Sequence, residues 1–372
     1  MKKILLLTFE FPIGKGYCGG VGQVVKQCRD ALTNLGHRVH VLISAEFRKK
    51  YPAKLFNPDG TITQYNNLSG FEKEHSWSGF DYIIQHFVNW TGELRGVKNG
   101  AHPRPKIIYH FHSILRRERE SGFRTLNYFL RNQEKMIELA DKIICPSNYE
   151  YDNFCRYFPK FAGKLTMIEN TIETFPASKE IISGIRQKYG IKEGDVTGLY
   201  VGRLEQIKGI EIIIRHLPKL LGRHKNFKFF IIGKSLEKDL HKKLLRVLRK
   251  FPGQLFYIRY LEKERLFQLY YLSDIYINPS LSESFSLSTH EGALCKNALL
   301  LNRLPVFEKF KEAALFFSSQ EAGGGEFSSR LEYLITHKNR RRKLAIKSFR
   351  IARSFLAGKR LKADLSGFLN SF

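Results

Sequence analysis

Two stretches of this chain, starting about 195 residues apart, repeat one plan: a buried strand, a glycine-bearing loop, an amphipathic helix and a second strand. The first opens with the strand Lys3–Phe9 and a loop holding Gly14, Gly16, Gly19, Gly20 and Gly22. Val21, Val24, Val25, Cys28, Ala31, Leu32 and Leu35 then recur at helical spacing, Gly36 ends the helix, and Val39–Ile43 forms the next strand. The second runs from Gly198–Val201 through the loop Gly202–Gly209 to a stripe of Ile210, Ile213, Ile214, Leu217 and Leu221, then to the strand Phe227–Ile232. A single sheet does not restart this way. Two Rossmann-like domains do.

Short apolar runs continue the alternation between the two starts: Tyr82–Ile84, Lys106–Tyr109, Lys142–Cys145 and Leu165–Ile168 read as strands buried on both faces. Turn and linker residues cluster at Glu173–Ser178. That divides the chain into residues 1–175 and 176–345, followed by a basic helical segment, 346–372. Gly323–Gly325 reads as a flexible loop.

No run of 18 apolar residues occurs, which argues against a membrane-spanning helix. Glu10 and Pro12 interrupt the N-terminal apolar run too early for a secretory signal. Cys18, Cys28, Cys145, Cys155 and Cys295 show no metal-ligand spacing, and their scatter fits reduced thiols in a cytoplasmic protein. The net charge of +27 predicts attraction to an anion, whether nucleic acid, anionic lipid or a phosphorylated small molecule; a basic proteome or a solubility adaptation is the other reading. No helix-turn-helix, zinc-finger or RNA-recognition motif accompanies it, which sets nucleic acid aside.

Candidate site residues gather where strands end. Ile275–Asn278 is a strand; Glu283 falls in the loop after it, and Glu291 lies about one turn into the next helix. Solvated helix-start acids that favour the helix dipole are the other reading, one that Glu291 fits poorly because it lies deep in the helix. Arg203 and Lys208 occupy the loop after the second domain's first strand, where a guanidinium fork and an ammonium suit a pyrophosphate. Two solvated surface cations are the other reading. Gly19 and Gly20 precede a helix, so their backbone can approach an anion. The spacing is not that of a nicotinamide-binding fingerprint, and only Glu46 lies near the tip of the second strand. His112 ends the Ile107–Ser113 strand and turn, placed either to meet a substrate hydroxyl or to serve structure, as His110 beside it could.

Taken in order, these segments resemble the GT-B-fold glycosyltransferases of family 4, retaining enzymes that use nucleotide sugars. The resemblance runs through Gly19–Gly22, Leu35–Val41, Tyr109–Ser113, Ala140–Ser147, Ile168–Glu173, Tyr200–Gly209, Ser273–Ser280 and the two-glutamate segment. It implies an α/β protein of two Rossmann-like domains facing across a cleft, with the C-terminal helix packing back on the first. The first domain would bind acceptor and the second the nucleotide-sugar donor, a UDP- or GDP-sugar. Arg203 and Lys208 would hold the diphosphate, and Glu291 the ribose. Glu283 and His112 would touch the sugar. Ser284, Phe285, Ser286, Leu287 and Ser288 would contact the distal phosphate and sugar through backbone N–H groups. Gly19 and Gly20 would approach the diphosphate from the other domain, and the base would lie near Tyr260 and Leu261.

Four positions depart from the family pattern: Ser286 for a glycine, Thr171–Ile172 for a glycine before Glu173, Ser235 for the second glycine after Gly233, and Asn302–Glu308 for a glycine-rich turn. Ser286 narrows the room for backbone approach and leaves the donor sugar open. No Asp-x-Asp pair is present, and Arg203 and Lys208 can take a metal's place at the leaving phosphate, so the expectation is hexosyl transfer without a metal or other cofactor. The acceptor expected is a cell-surface glycan, glycolipid or lipopolysaccharide precursor. Basic stretches at Ile114–Arg131, Lys234–Lys250 and Arg340–Lys362 suit either a peripheral position on the inner face of the cytoplasmic membrane or ordinary amphipathic helices. An inactive GT-B scaffold that binds nucleic acid or an anionic surface is the alternative.

Overall fold

A computed structural model describes residues 1–12, 18–44, 54–55, 61–65, 71, 75–100, 103–123, 125–319, 325–356 and 358–372. Gly14, Gly16, Glu46, Gly323 and Gly324 lie outside the described residues. The chain forms two compact units, Met1–Thr171 with Ala357–Phe372, and Ile172–Leu356.

The first unit is built on an eight-stranded sheet. Its strands are β1 (Lys3–Thr8), β2 (Arg38–Ser44), β3 (Lys54–Leu55), β4 (Ile62–Tyr65), β5 (Tyr82–Gln85), β6 (Lys106–His110), β7 (Lys142–Cys145) and β8 (Leu165–Met167). The order is β3-β4-β2-β1-β5-β6-β7-β8, all parallel except the β3–β4 pair at the edge. Helices α1 (Gly20–Asn34), α2 (Thr91–Gly100), α3 (Leu115–Glu120), α4 (Asn127–Leu139) and α5 (Asn148–Tyr157) connect them. Ile4, Leu5, Leu6 and Leu7 on β1 are all fully buried, as a parallel strand covered on both faces requires. Each such side chain contributes about 1.5–3 kcal/mol of transfer free energy.

In the second unit six parallel strands are ordered β11-β10-β9-β12-β13-β14. They are β9 (Val196–Val201), β10 (Phe227–Ile232), β11 (Leu255–Ile258), β12 (Ile275–Asn278), β13 (Ala298–Asn302) and β14 (Ala314–Phe317). The helices are α6 (Lys179–Lys188), α7 (Ile210–Arg223), α8 (Lys238–Lys250), α9 (Lys263–Leu272), α10 (Leu287–Leu294), α11 (Gly325–Thr336) and α12 (Lys338–Ala352). The predicted stripe on α7 is buried in the core with Phe227, Phe229 and Ile231 of β10. The last helix, α13 (Lys359–Asn370), returns to the first unit. Leu361, Leu365, Phe368 and Leu369 join the core between it, α1 and the sheet, and Tyr82 Oη donates to the Leu369 carbonyl at 3.2 Å. The α/β class, the two Rossmann-like sheets and the returning helix agree with the sequence reading.

Candidate active site

In the second unit the chain builds outward from β9 through β10 to β11, then crosses back and builds outward from β12 on the other side. The loops leaving β9 and β12 therefore diverge at the carboxyl edge of the sheet, the switch point where open α/β sheets take ligands. Arg203 and Lys208 are on the first loop, Glu283 on the second. The two loops touch. Gly209 has φ +64°, and a Cβ there would lie 1.9 Å from the Pro279 carbonyl oxygen, so only glycine permits this approach.

Lys208 Nζ lies 2.9 Å from Glu283 Oε1, which also accepts from Ser280 Oγ at 2.8 Å. Ser280 is fixed in turn, its N–H donating to Asn278 Oδ1 and its carbonyl accepting from Asn302 Nδ2. Arg203 is 3.4 Å from Glu205 and keeps two-fifths of its side chain exposed. The guanidinium is therefore accessible and the ammonium is held.

Glu291 is buried on α10. Its carboxylate accepts from Tyr270 Oη at 2.9 Å and pairs with Lys263 at the start of α9. Burial first, then the neighbouring Glu291 charge, pushes the Tyr270 hydroxyl well above its ordinary range, so it stays a donor. Lys263 and Tyr270 were not among the residues expected from sequence. Lys263 opens an exposed helix end, and only the fold directs it to Glu291. Tyr260 and Leu261, expected near the base, are half-buried in the loop between β11 and α9.

Ser286, the departure from glycine, has φ +65°, a left-handed conformation that glycine adopts without strain. Its hydroxyl accepts from Asn278 Nδ2 and shares a hydrogen bond with Thr289 Oγ1, both at 2.9 Å. The opposite end of α10 turns through Lys296, also left-handed with φ +60°. The turn after the glutamate helix is thus at Lys296, ahead of Asn302–Glu308, where β13 ends and a 3₁₀ segment, Pro305–Phe310, follows. Phe285 stacks on His290 at 4.2 Å, Ser288 Oγ accepts from Tyr276 Oη at 2.7 Å, and Ser284 and Leu287 are partly exposed. Burial lowers His290 to about 3, helped by Lys309.

In the first unit His112 follows β6, partly accessible, its Nε2 3.2 Å from His86 Nδ1. Its surroundings disfavour charge and lower it to about 3, so at neutral pH it offers an uncharged imidazole. Burial holds His86 and His110 well below the ordinary range as well. Gly20 is exposed at the start of α1. The N–H groups of Gly19 and Gly22 donate to the Glu10 carboxylate at 3.1 and 3.0 Å. The chain's own carboxylate thus takes the anion position at this helix end.

The basic stretches divide. Arg117 is buried against Glu150 at 2.6 Å, and Arg341 is buried against the Leu334 carbonyl and Asp274, so both serve structure. On α8, Leu240 and Leu244 enter the core while Lys242, Lys243 and Arg246 face outward or partly so. Leu126, at the N-cap of α4, and Tyr128 in its first turn are exposed. Among the described residues no helix is long and apolar enough to cross a membrane.

Residues 18–174 match the family described as Glycosyltransferase Family 4, and residues 182–347 match Glycosyl transferases group 1. The chain is 23% identical over 335 residues to an α-monoglucosyldiacylglycerol synthase of Acholeplasma laidlawii, covering 81% of this chain and 82% of that protein. Among solved structures, sucrose-phosphate synthase from Thermosynechococcus elongatus superposes with TM-score 0.80 at 14% identity, over 100% of this chain and 99% of that one. Anabaena HepE, solved with UDP and glucose, superposes with TM-score 0.76 at 17% identity over all of both chains.

Proposed function

This chain belongs to the group-1, family-4 glycosyl transferases, retaining GT-B enzymes that draw on nucleotide sugars, and from that membership we propose that it transfers a hexose from a UDP-sugar to a glycolipid or surface-glycan acceptor. One observation carries the donor side of the reading: a held ammonium and an accessible guanidinium, Lys208 and Arg203, at the switch point of the second sheet. The uridine base is favoured by HepE, whose structure holds UDP and glucose. A lipid-linked acceptor is favoured by the synthase of α-monoglucosyldiacylglycerol.

In this reading the second unit binds the donor and the first binds the acceptor. Arg203 and Lys208 take the diphosphate, with Glu283 and Ser280 keeping the ammonium in place. Glu291 takes the ribose, and Tyr260 and Leu261 flank the base. Backbone N–H groups from Ser284 to Ser288 meet the distal phosphate and sugar. Transfer breaks the bond from the anomeric carbon to the diphosphate oxygen, which keeps the electron pair. The acceptor oxygen bonds to that carbon on the same face, and its proton passes to the leaving phosphate. Charge building on that phosphate is stabilised by the two cations, the role a metal plays elsewhere.

The test is release of UDP from UDP-sugars, screened against lipid and glycan acceptors, with Arg203→Ala and Lys208→Ala alongside in excess chelator. Turnover in chelator that either substitution abolishes is the expected result. Activity lost in chelator and restored by magnesium or manganese would overturn the metal-free step.

A further inference from the structure

We propose that Cys28, His86 and His110 form a zinc site inside the first unit. The three are scattered in sequence with no metal-ligand spacing, yet their ligand atoms all lie within 4.8 Å of one another. A tetrahedral zinc with two nitrogens and one sulfur holds those atoms about 3.5 Å apart, so rotamer adjustments suffice.

The fold explains the convergence. β5 and β6 pair in parallel with Gln85 beside Tyr109, and one step further His86 stands beside His110. Alternation along a strand puts both on the face of Ile84 and Ile108, which packs against Val25 and Ala31 of α1. Cys28 lies between those two on the same side of the helix. All three residues are at least 97% buried.

The nitrogens themselves point to a ligand. His86 Nε2 and both nitrogens of His110 are buried without a hydrogen-bond partner. Each such group costs about 1–3 kcal/mol if nothing meets it. If His86 Nδ1 carries the proton and donates to His112 Nε2, 3.2 Å away, its Nε2 lone pair is left free. That is the second-shell arrangement that orients metal-bound histidines. Two imidazoles and a thiol suit zinc, with a fourth position left for water or a solute. Binding converts the Cys28 thiol to thiolate and releases its proton to solvent.

Full-length protein stripped of metal and titrated with Co²⁺ tests this without any turnover measurement, so failure of the proposed transfer leaves it intact. Expected are one Co²⁺ per chain, near-ultraviolet thiolate-to-cobalt absorption, the visible bands of four-coordinate cobalt, and loss of both on adding zinc. Cys28→Ser should remove the thiolate band, and His110→Asn should weaken zinc about 100-fold against a chromophoric chelator, with unchanged circular dichroism. Zinc-edge X-ray absorption on the unsubstituted protein should show one sulfur and two imidazole nitrogens, which covers the case of a variant that does not fold. No cobalt bands, bands that survive Cys28→Ser in a folded protein, or a zinc shell without sulfur would overturn the site.

Discussion

The Lys208 ammonium and the Glu283 carboxylate meet at 2.9 Å across 75 residues of sequence, tying the loop after β9 to the loop after β12. Glu283 thereby fixes where the cation waits. Lys208→Ala should lower kcat/KM about 100-fold or more, the usual loss for one donor to developing charge. Glu283→Gln keeps the shape but frees the ammonium, and a fall in kcat larger than any rise in KM is expected. Steady-state UDP release reads both. Equal activity in Lys208→Ala and the unsubstituted enzyme would remove this lysine from the mechanism.

Glu291 is buried with its charge met by Lys263 and Tyr270. Lys263→Met leaves that carboxylate with the tyrosine alone. Lys263 is about one-quarter exposed, so the cost should fall below that of a fully buried pair, at about 2 kcal/mol. Urea unfolding measures it. A change under about 0.5 kcal/mol would mean that water replaces the ammonium freely.

At Ser286 two effects oppose each other. The left-handed backbone costs about 1–2 kcal/mol, and the hydroxyl's buried hydrogen bonds return about 0.5–1.5 kcal/mol each. Ser286→Gly should therefore be nearly neutral, within about 1 kcal/mol. Ser286→Val loses the bonds and puts a branched side chain at φ +65°, for about 3 kcal/mol of destabilisation. Denaturant midpoints should rank serine and glycine together, well above valine. A stable valine variant would contradict the left-handed assignment.

His290 has a folded pKa of about 3, below its unfolded value of about 6.5. The unfolded chain therefore binds the extra proton between those values. Stability from this residue is complete above about pH 6.5 and declines as pH falls toward 3, by up to about 1.4 kcal/mol per pH unit. His86 and His110 act with the same sign. Replacing His290 with leucine should make the stability–pH slope between about pH 6 and 4 shallower by about that amount. An unchanged slope would show that the imidazole is charged in the folded state.

Much of this was legible because buried parallel strands announce themselves. Lys3–Thr8, Phe227–Ile232 and Ile275–Asn278 are largely apolar runs ended by loop residues, and the restart of the strand–loop–helix plan at Gly198 marks the second sheet. Arg203, Lys208 and Glu283 were legible from their positions just past strand ends. Strands β13 and β14 were not, since Ala298–Leu301 and Ala314–Phe317 are short apolar runs that periodicity cannot tell from helix. Nor were contacts made by side chains across elements. Nothing local sends Lys263 to Glu291, and the Cys28, His86 and His110 cluster exists only through strand register and the packing of α1 on the sheet. Glu10 capping the start of α1 belongs to the same kind, a nine-residue return that no motif encodes.

The helix α13 belongs to the first unit, so residues 172–356 are inserted between that unit's two parts. The order of synthesis follows from that. When Leu356 leaves the ribosome, every residue of the second unit is available, whereas the first still lacks Leu361, Leu365, Phe368 and Leu369 from its core. The first unit, begun before the second, is therefore completed after it, and a nascent chain stalled or clipped before residue 359 carries a finished second unit and a first unit whose hydrophobic face along α1 is open.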